Sequence, residues 1–139
     1  VLILFGGGLA LAAQVSGSGL AVWLGESLLP VASLGVLVLI VAAAGLVVFL
    51  TELTSNLATA ATFLPVIAAI AAQSGIEPLV LCVPVTLAAS CAFMLPVATP
   101  PNAIVFGSGH IQQRDMVPIG LVLNLTFAVL LTLLSQILF

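Results

Sequence analysis

The sequence predicts an all-α integral membrane protein with two interrupted regions, a re-entrant helical hairpin and a broken transmembrane helix. Three observations carry that expectation. The 139 residues are 63% hydrophobic and only 4% charged, whereas soluble domains average about 25% charged residues, so no aqueous surface can be assembled. The stretch Leu95-Pro96-Val97-Ala98-Thr99-Pro100-Pro101-Asn102 sets backbone-disrupting and polar residues in succession inside near-pure hydrocarbon, and Thr51-Glu52-Leu53-Thr54-Ser55-Asn56 does the same upstream. In lipid an unpaired amide costs several kcal/mol, so non-helical backbone survives only where it is buried in protein or lines a watery cavity. Broken helices near the bilayer midplane are how secondary transporters build binding sites. Two such breaks in one short chain point to ion or solute transport.

Charge excludes other classes. The net charge of -3 arises from Glu26, Glu52, Glu77 and Asp115 against Arg114, which leaves nothing basic for nucleic acid or anionic headgroups. Cys82 and Cys91 lie in an apolar run and read as small core- or lipid-facing hydrophobes rather than a disulfide or metal pair. Cys91, His110 and Glu52 fall on different segments with no motif joining them, so an intramembrane enzyme finds no support. The chain opens on Val1 within a hydrophobic run, without methionine or charged leader. It therefore reads as the C-terminal piece of a longer polypeptide.

In chain order, residues 1–32 read as the remainder of a scaffold helix and an interfacial segment. Val1 to Ala13 is the helix tail, Gln14 to Gly19 a small turn by its glycines and serines, and Leu20 to Leu29 carries Trp23 and Glu26, suited to the membrane boundary. Residues 33–73 hold a helix over Ser33 to Leu50, the polar break, and an apolar run from Leu57 to Gln73. Neither flank of the break carries the charges expected where a chain emerges into water, and the second helix is short for a span of about 20 residues. A re-entrant hairpin with its tip near residues 55–57 explains both facts; two ordinary spans joined by a tight turn are the alternative. Ser74 to Pro78 marks an aqueous turn with proline at the next helix start. Residues 77–107 form the broken helix: Leu79 to Leu95 with a kink expected at Pro84, the break over 96–102, and a half-helix over Ala103 to Phe106. Gly107 to Asp115 is the polar loop, and its Arg114 assigns it to the cytoplasm by the positive-inside rule. Residues 116–139 form the final span.

The polar residues suit an ion. Thr51 and Ser55 stand one turn apart on a helix face with Asn56 beside them. Hydroxyl and amide oxygens, together with carbonyls freed at a helix end, form neutral hard ligands for a hard cation. Sodium is the first candidate, with potassium and protons left open by spacing, and carbonyls near Ala98 complete the cage if the breaks meet. The helix after Asn56 and the half-helix begun by Pro100-Pro101 would aim two positive dipole ends at the cavity, attracting a carboxylate without arginine or lysine. The plainer alternative is that the hydroxyls back-bond within helices and the prolines merely shape packing. Glu52, an intramembrane carboxylate beside the tip, is either a proton or ion ligand or hydrogen-bonded to the hairpin's backbone. His110 reads as solvated, and Asn124 as a bond to a neighbouring helix.

These motifs resemble the divalent-anion/sodium symporter family, closest to its bacterial INDY-type sodium-coupled dicarboxylate transporters. The likeness rests on Thr51-Glu52-Leu53-Thr54-Ser55-Asn56 and on Met94 through Phe106. Leu4-Phe5-Gly6-Gly7-Gly8 and Gly107-Ser108-Gly109-His110-Ile111 fit the same family. The resemblance implies an inverted-repeat, elevator-type transporter working as a homodimer, multi-pass in the cell inner (plasma) membrane, with Na+ as coupling ion. It implies one sodium site from Thr51, Ser55, Asn56 and the Ala98 carbonyl. Asn56, Leu57, Thr99 and Pro100 would line half of a substrate site for a di- or tricarboxylate, foremost a C4-dicarboxylate such as succinate, with citrate and sulfate as alternatives. A structural membrane subunit is the rival reading. Two departures stand out. Leu57 occupies the third tip position, where the family has threonine, and each tip motif occurs once, so the N-terminal partner repeat of the polypeptide is expected outside this chain.

Overall fold

A computed structural model describes residues 17–138 together with residues 3, 6, 7, 10, 13 and 14. The expected helix tail over Val1 to Ala13 and the Leu4–Gly8 motif lie largely outside the described residues. Among the described residues the regular structure is entirely helical: α1 (Leu20–Glu26), α2 (Leu29–Ala32), α3 (Val36–Thr51), α4 (Asn56–Gln73), α5 (Pro78–Ala88), α6 (Pro100–Gly107) and α7 (Gln113–Leu138).

Local chemistry sets most of the boundaries. Of the turn expected over Gln14 to Gly19, Ser18 and Gly19 form a turn among the described residues: the Ser18 amide donates to the Gln14 carbonyl at 2.9 Å and Gly19 takes a positive φ of 77°. The segment expected over Leu20 to Leu29 divides at Ser27–Leu28 into α1 and α2. The helix expected from Ser33 begins at Val36, since Gly35 sits at φ 110°, a region that glycine tolerates and other residues rarely enter. The C-terminal end of α4 is a Schellman turn. The Ile76 amide donates to the Ala71 carbonyl at 2.9 Å and that of Gly75, at φ 68°, to Ala72 at 3.2 Å. Pro78 then opens α5 at a position whose amide needs no partner.

The core lies where α3, α4 and α5 meet, with Leu39, Ile40, Val47, Ile67, Leu81 and Val85 buried together. Helix α3 packs on both α5 and α7, while α4 packs on α5 and α1. Helix α7 has the polarity of a lipid-solvated element. Its buried stripe is Gly120, Asn124, Ala128, Thr132 and Ser135, spaced by one helical turn, whereas Ile119, Val122, Leu125, Leu130 and Ile137 are exposed. Small and polar residues facing protein, with branched hydrocarbon facing outward, is the arrangement of helices packed inside a bilayer. Ser135 uses that stripe to donate to the Val80 carbonyl of α5 at 2.8 Å.

By length and composition α4 and α7 can each cross a membrane. At about 1.5 Å per residue, the 18 residues of α4 come close to a hydrocarbon core about 30 Å thick. The helix after the first break is thus longer than the sequence suggested, because Asn56 itself is helical.

The second break differs more. Helix α5 runs through Pro84 but stops at Ala88 rather than Leu95, and the chain is non-helical from Ala89 to Thr99. Pro100, Pro101 and Asn102, expected inside the break, form the first turn of α6. Beyond the stop, the Met94 and Leu95 amides are bonded to Glu52 rather than to an α5 continuation.

Candidate functional site

The first break begins where α3 delivers Thr51 and Glu52, both buried, at its end. Ser55 then caps α4: its extended backbone and side-chain oxygen accept the Ala58 amide at 3.2 Å, satisfying one of the free donors of the helix start. Thr54 and Thr59 lie within bonding distance of the carbonyls of Leu50 and Ser55, at 3.0 Å each, and of one another, and their two hydroxyl protons serve two of these three contacts. These two threonines serve the turn and do not point a free oxygen elsewhere.

Thr51 is different. Its hydroxyl lies 2.8 Å from Asn56 Oδ1 and 2.8 Å from the Ala89 carbonyl oxygen. A hydroxyl carries one proton and cannot serve two acceptors fully; a turned-over Asn56 amide would donate to Thr51 instead. Either way, one polar point joins the end of α3, the start of α4 and the end of α5. Three oxygens so close, with one proton among them, offer a hard cation neutral ligands. The carbonyl brought to Thr51 is that of Ala89. Ala98 is buried and its amide closes a turn to the Leu95 carbonyl at 3.2 Å. Leu57 is 78% exposed at the tip, and Thr99 and Pro100 are half-buried.

The second break is supported by side chains rather than by helix bonds. Glu52, only 3% exposed, accepts the Met94 amide on Oε1 and the Leu95 amide on Oε2, each at 2.9 Å, and the Asn124 side-chain amide on Oε1 at 2.7 Å. All three partners are N–H donors, the set an acceptor-only carboxylate takes. Asn102 complements this by donating its side-chain amide to the carbonyls of Ala92 at 2.9 Å and Leu95 at 3.0 Å. Thr99 caps α6 by accepting the Asn102 amide at 3.3 Å. The hairpin's own backbone is the alternative partner expected for Glu52; its carboxylate instead holds the backbone of the other break. Asn124 bonds across helices as expected, to Glu52 itself.

Close approach completes the arrangement. A Cβ built on Gly120 would lie 2.4 Å from the Phe93 carbonyl oxygen and 2.6 Å from Met94 Cα, so only glycine on α7 admits the loop at this separation. The sequence reading had assigned no role to Gly120 or Asn102. Asn102 was legible only as part of the Thr-Pro-Pro-Asn run; Gly120 left no local signal at all. His110 and the Arg114–Asp115 pair, separated by 4.0 Å, lie exposed in and beside the polar loop.

The family described as the sodium:sulfate symporter transmembrane region matches residues 1–138. The chain belongs to this family. Among curated proteins, a sodium-dependent dicarboxylate transporter of Staphylococcus saprophyticus is 51% identical over 133 residues, covering 96% of this chain. A protein of the same name from Staphylococcus aureus strain USA300 is 49% identical over the same share. The chain spans 26% of the length of each of these relatives. Membership of a family of symporter transmembrane regions agrees with the outward-facing hydrocarbon of α7. Both breaks lie wholly within the matched residues.

Proposed function

We propose that this chain supplies one sodium site and half of the anion site of a sodium-coupled symporter for a C4-dicarboxylate such as succinate. The observation that carries the reading is the Thr51 hydroxyl held between Asn56 Oδ1 and the Ala89 carbonyl, at the capped start of α4. Sodium takes Thr51 and Asn56, with Ser55 offering the lone pair its cap bond leaves free and the Ala98 carbonyl closing the cage. The bound cation and the N-terminal amides of α4 and α6 then attract a carboxylate against Asn56, Thr99 and Pro100. Relatives half-identical to this chain are named sodium-dependent dicarboxylate transporters, which supports both the ion and the substrate class.

In this reading α3 and α4 form the re-entrant hairpin, and its tip meets the tip of an N-terminal repeat of the same polypeptide across the anion. The assembled transporter is a homodimer in the bacterial plasma membrane and works by an elevator motion. Leu57 leaves the anion one hydroxyl fewer to bond, a difference worth about 0.5–1.5 kcal/mol, and presents apolar surface instead.

Uptake of labelled succinate into proteoliposomes by the protein in its full natural length tests the reading. Sodium outside should drive uptake, and choline in its place should abolish it. Replacing Asn56 by alanine should remove sodium-driven uptake while the protein still folds. Uptake indifferent to sodium would sink the proposal; sodium-driven uptake of citrate or sulfate alone would keep the ion and change the substrate.

A further inference from the structure

The two breaks are joined by more than the Thr51 contact. The Leu95 peptide is bonded on both sides, its amide to Glu52 Oε2 at 2.9 Å and its carbonyl to the Asn102 side-chain amide at 3.0 Å. Asn102 sits in the first turn of α6, and its backbone amide bonds the Thr99 cap. A continuous line of hydrogen bonds therefore runs from Glu52 through Leu95 and Asn102 to Thr99. Helix α6 has no buried residue, and its N-terminus is held by this line together with the Asn102 bond to the Ala92 carbonyl at 2.9 Å. Glu52 follows Thr51 directly in the chain. Asn124 holds Glu52 from the α7 side while its own Oδ1 has no partner among the described residues. The amide is thus turned to serve the carboxylate at the expense of its carbonyl, which marks the orientation of Glu52 as the contact that is favoured.

We propose that Glu52 is a positioning residue: through Leu95 and Asn102 it couples cation occupancy at Thr51–Asn56 to anion affinity at the Thr99–Pro100 helix terminus. The inference rests on the sodium and anion sites proposed above. When Thr51 shifts to coordinate the ion, the adjoining carboxylate shifts with it. The Met94–Leu95 backbone and the α6 terminus follow through the Glu52 and Asn102 bonds, with Asn102 also holding the Ala92 carbonyl of the same segment. Coupling of this kind requires an element that both ligands bias, and the Ala89–Thr99 segment is that element.

The test uses the protein in its full natural length and two readouts: the thermal shift produced by sodium alone, and the succinate half-saturation measured over a sodium series. In the unmodified protein, rising sodium should lower the succinate half-saturation. Glu52→Gln keeps one acceptor oxygen and sets an NH2 group against a backbone amide. It should retain the sodium thermal shift, raise the succinate half-saturation about tenfold or more, and flatten its sodium dependence, the size usual for coupling between sites. Asn102→Leu removes both side-chain donors without adding a charge or touching the carboxylate and should give the same pattern, so it decides the matter if Glu52→Gln does not fold. Wild-type sodium dependence of succinate affinity in either folded variant would overturn the proposal. So would loss of the sodium thermal shift in Glu52→Gln, which would make Glu52 part of the ion site. An unmodified protein whose succinate affinity ignores sodium would overturn the sodium reading itself and this inference with it.

Discussion

The two breaks solve the same physical problem in opposite ways. Both strip helix bonds from backbone that lies among apolar helices, where each unpaired group costs several kcal/mol. The first, Glu52 to Ser55, repairs itself locally: Ser55 caps α4, and Thr54 and Thr59 bond carbonyls one turn away. The second, Ala89 to Thr99, is longer and relies on residues distant in sequence. Glu52 supplies acceptors from 42 and 43 residues away, Asn102 supplies donors, and Gly120 yields the space. A break satisfied locally holds its shape when its neighbours move. A break satisfied by remote side chains takes its shape from them, and that suits it to respond to events at the first.

The sharpest way to break this contrast is Gly120→Ala. The added methyl would meet the Phe93 carbonyl oxygen at 2.4 Å, its carbon at 2.5 Å and Met94 Cα at 2.6 Å. These are backbone atoms and cannot rotate aside. Overpacking of this sort reaches about 3 kcal/mol or more, and any relief would pull the Met94 and Leu95 amides from Glu52. Thermal unfolding in detergent should show a large fall in midpoint, with limited proteolysis appearing first within residues 89–99. An unchanged midpoint would mean that α7 does not bear on the second break.

The same contrast explains what the sequence could reveal. The first break was legible because its determinants are adjacent: a run of threonine, serine and asparagine followed by a regular apolar stretch. The end of the second break was equally legible, since Thr99 caps α6 and Pro100 takes a position that proline favours. Its beginning was not. Ala-Ala-Ser-Cys-Ala-Phe-Met, residues 88–94 without their final context, reads as a helix, and the non-helical backbone that follows instead bonds a carboxylate brought in from the end of α3. Glu52 stood out as an intramembrane charge, yet its Asn124 partner lies 72 residues away. No local pattern names such a partner. The inside-out face of α7 was likewise visible only as general hydrophobicity until the stripe from Gly120 to Ser135 was seen packed.

A middle-sized effect separates the two duties of Ser55, helix cap and sodium ligand. Ser55→Ala removes the oxygen that accepts the Ala58 amide and should lower stability by about 1 kcal/mol, as cap loss typically does. Ser55→Gly also lacks the hydroxyl but costs only a few tenths of a kcal/mol as a cap. If Ser55 binds sodium, both variants should need more sodium to reach the same thermal shift, by a similar factor. If only the alanine variant differs, and only in its midpoint without ions, the hydroxyl serves the helix alone and the ion rests on Thr51 and Asn56.

The smallest expected effect has the opposite sign. Gly45 lies inside α3, and a Cβ built on it meets nothing within 4 Å among the described residues. Glycine in a helix interior is destabilising by about 0.5–1 kcal/mol relative to alanine, because its unfolded chain has more freedom to lose. Gly45→Ala should therefore raise the unfolding midpoint slightly, where the identical substitution at Gly120 lowers it sharply. Measured together in the protein of full natural length, the pair isolates backbone approach from helix propensity, since the chemical change is one methyl in each case. A fall at Gly45 as well would place another part of the polypeptide against α3 at that point. The second break would then no longer be the one region whose shape is set by a distant neighbour.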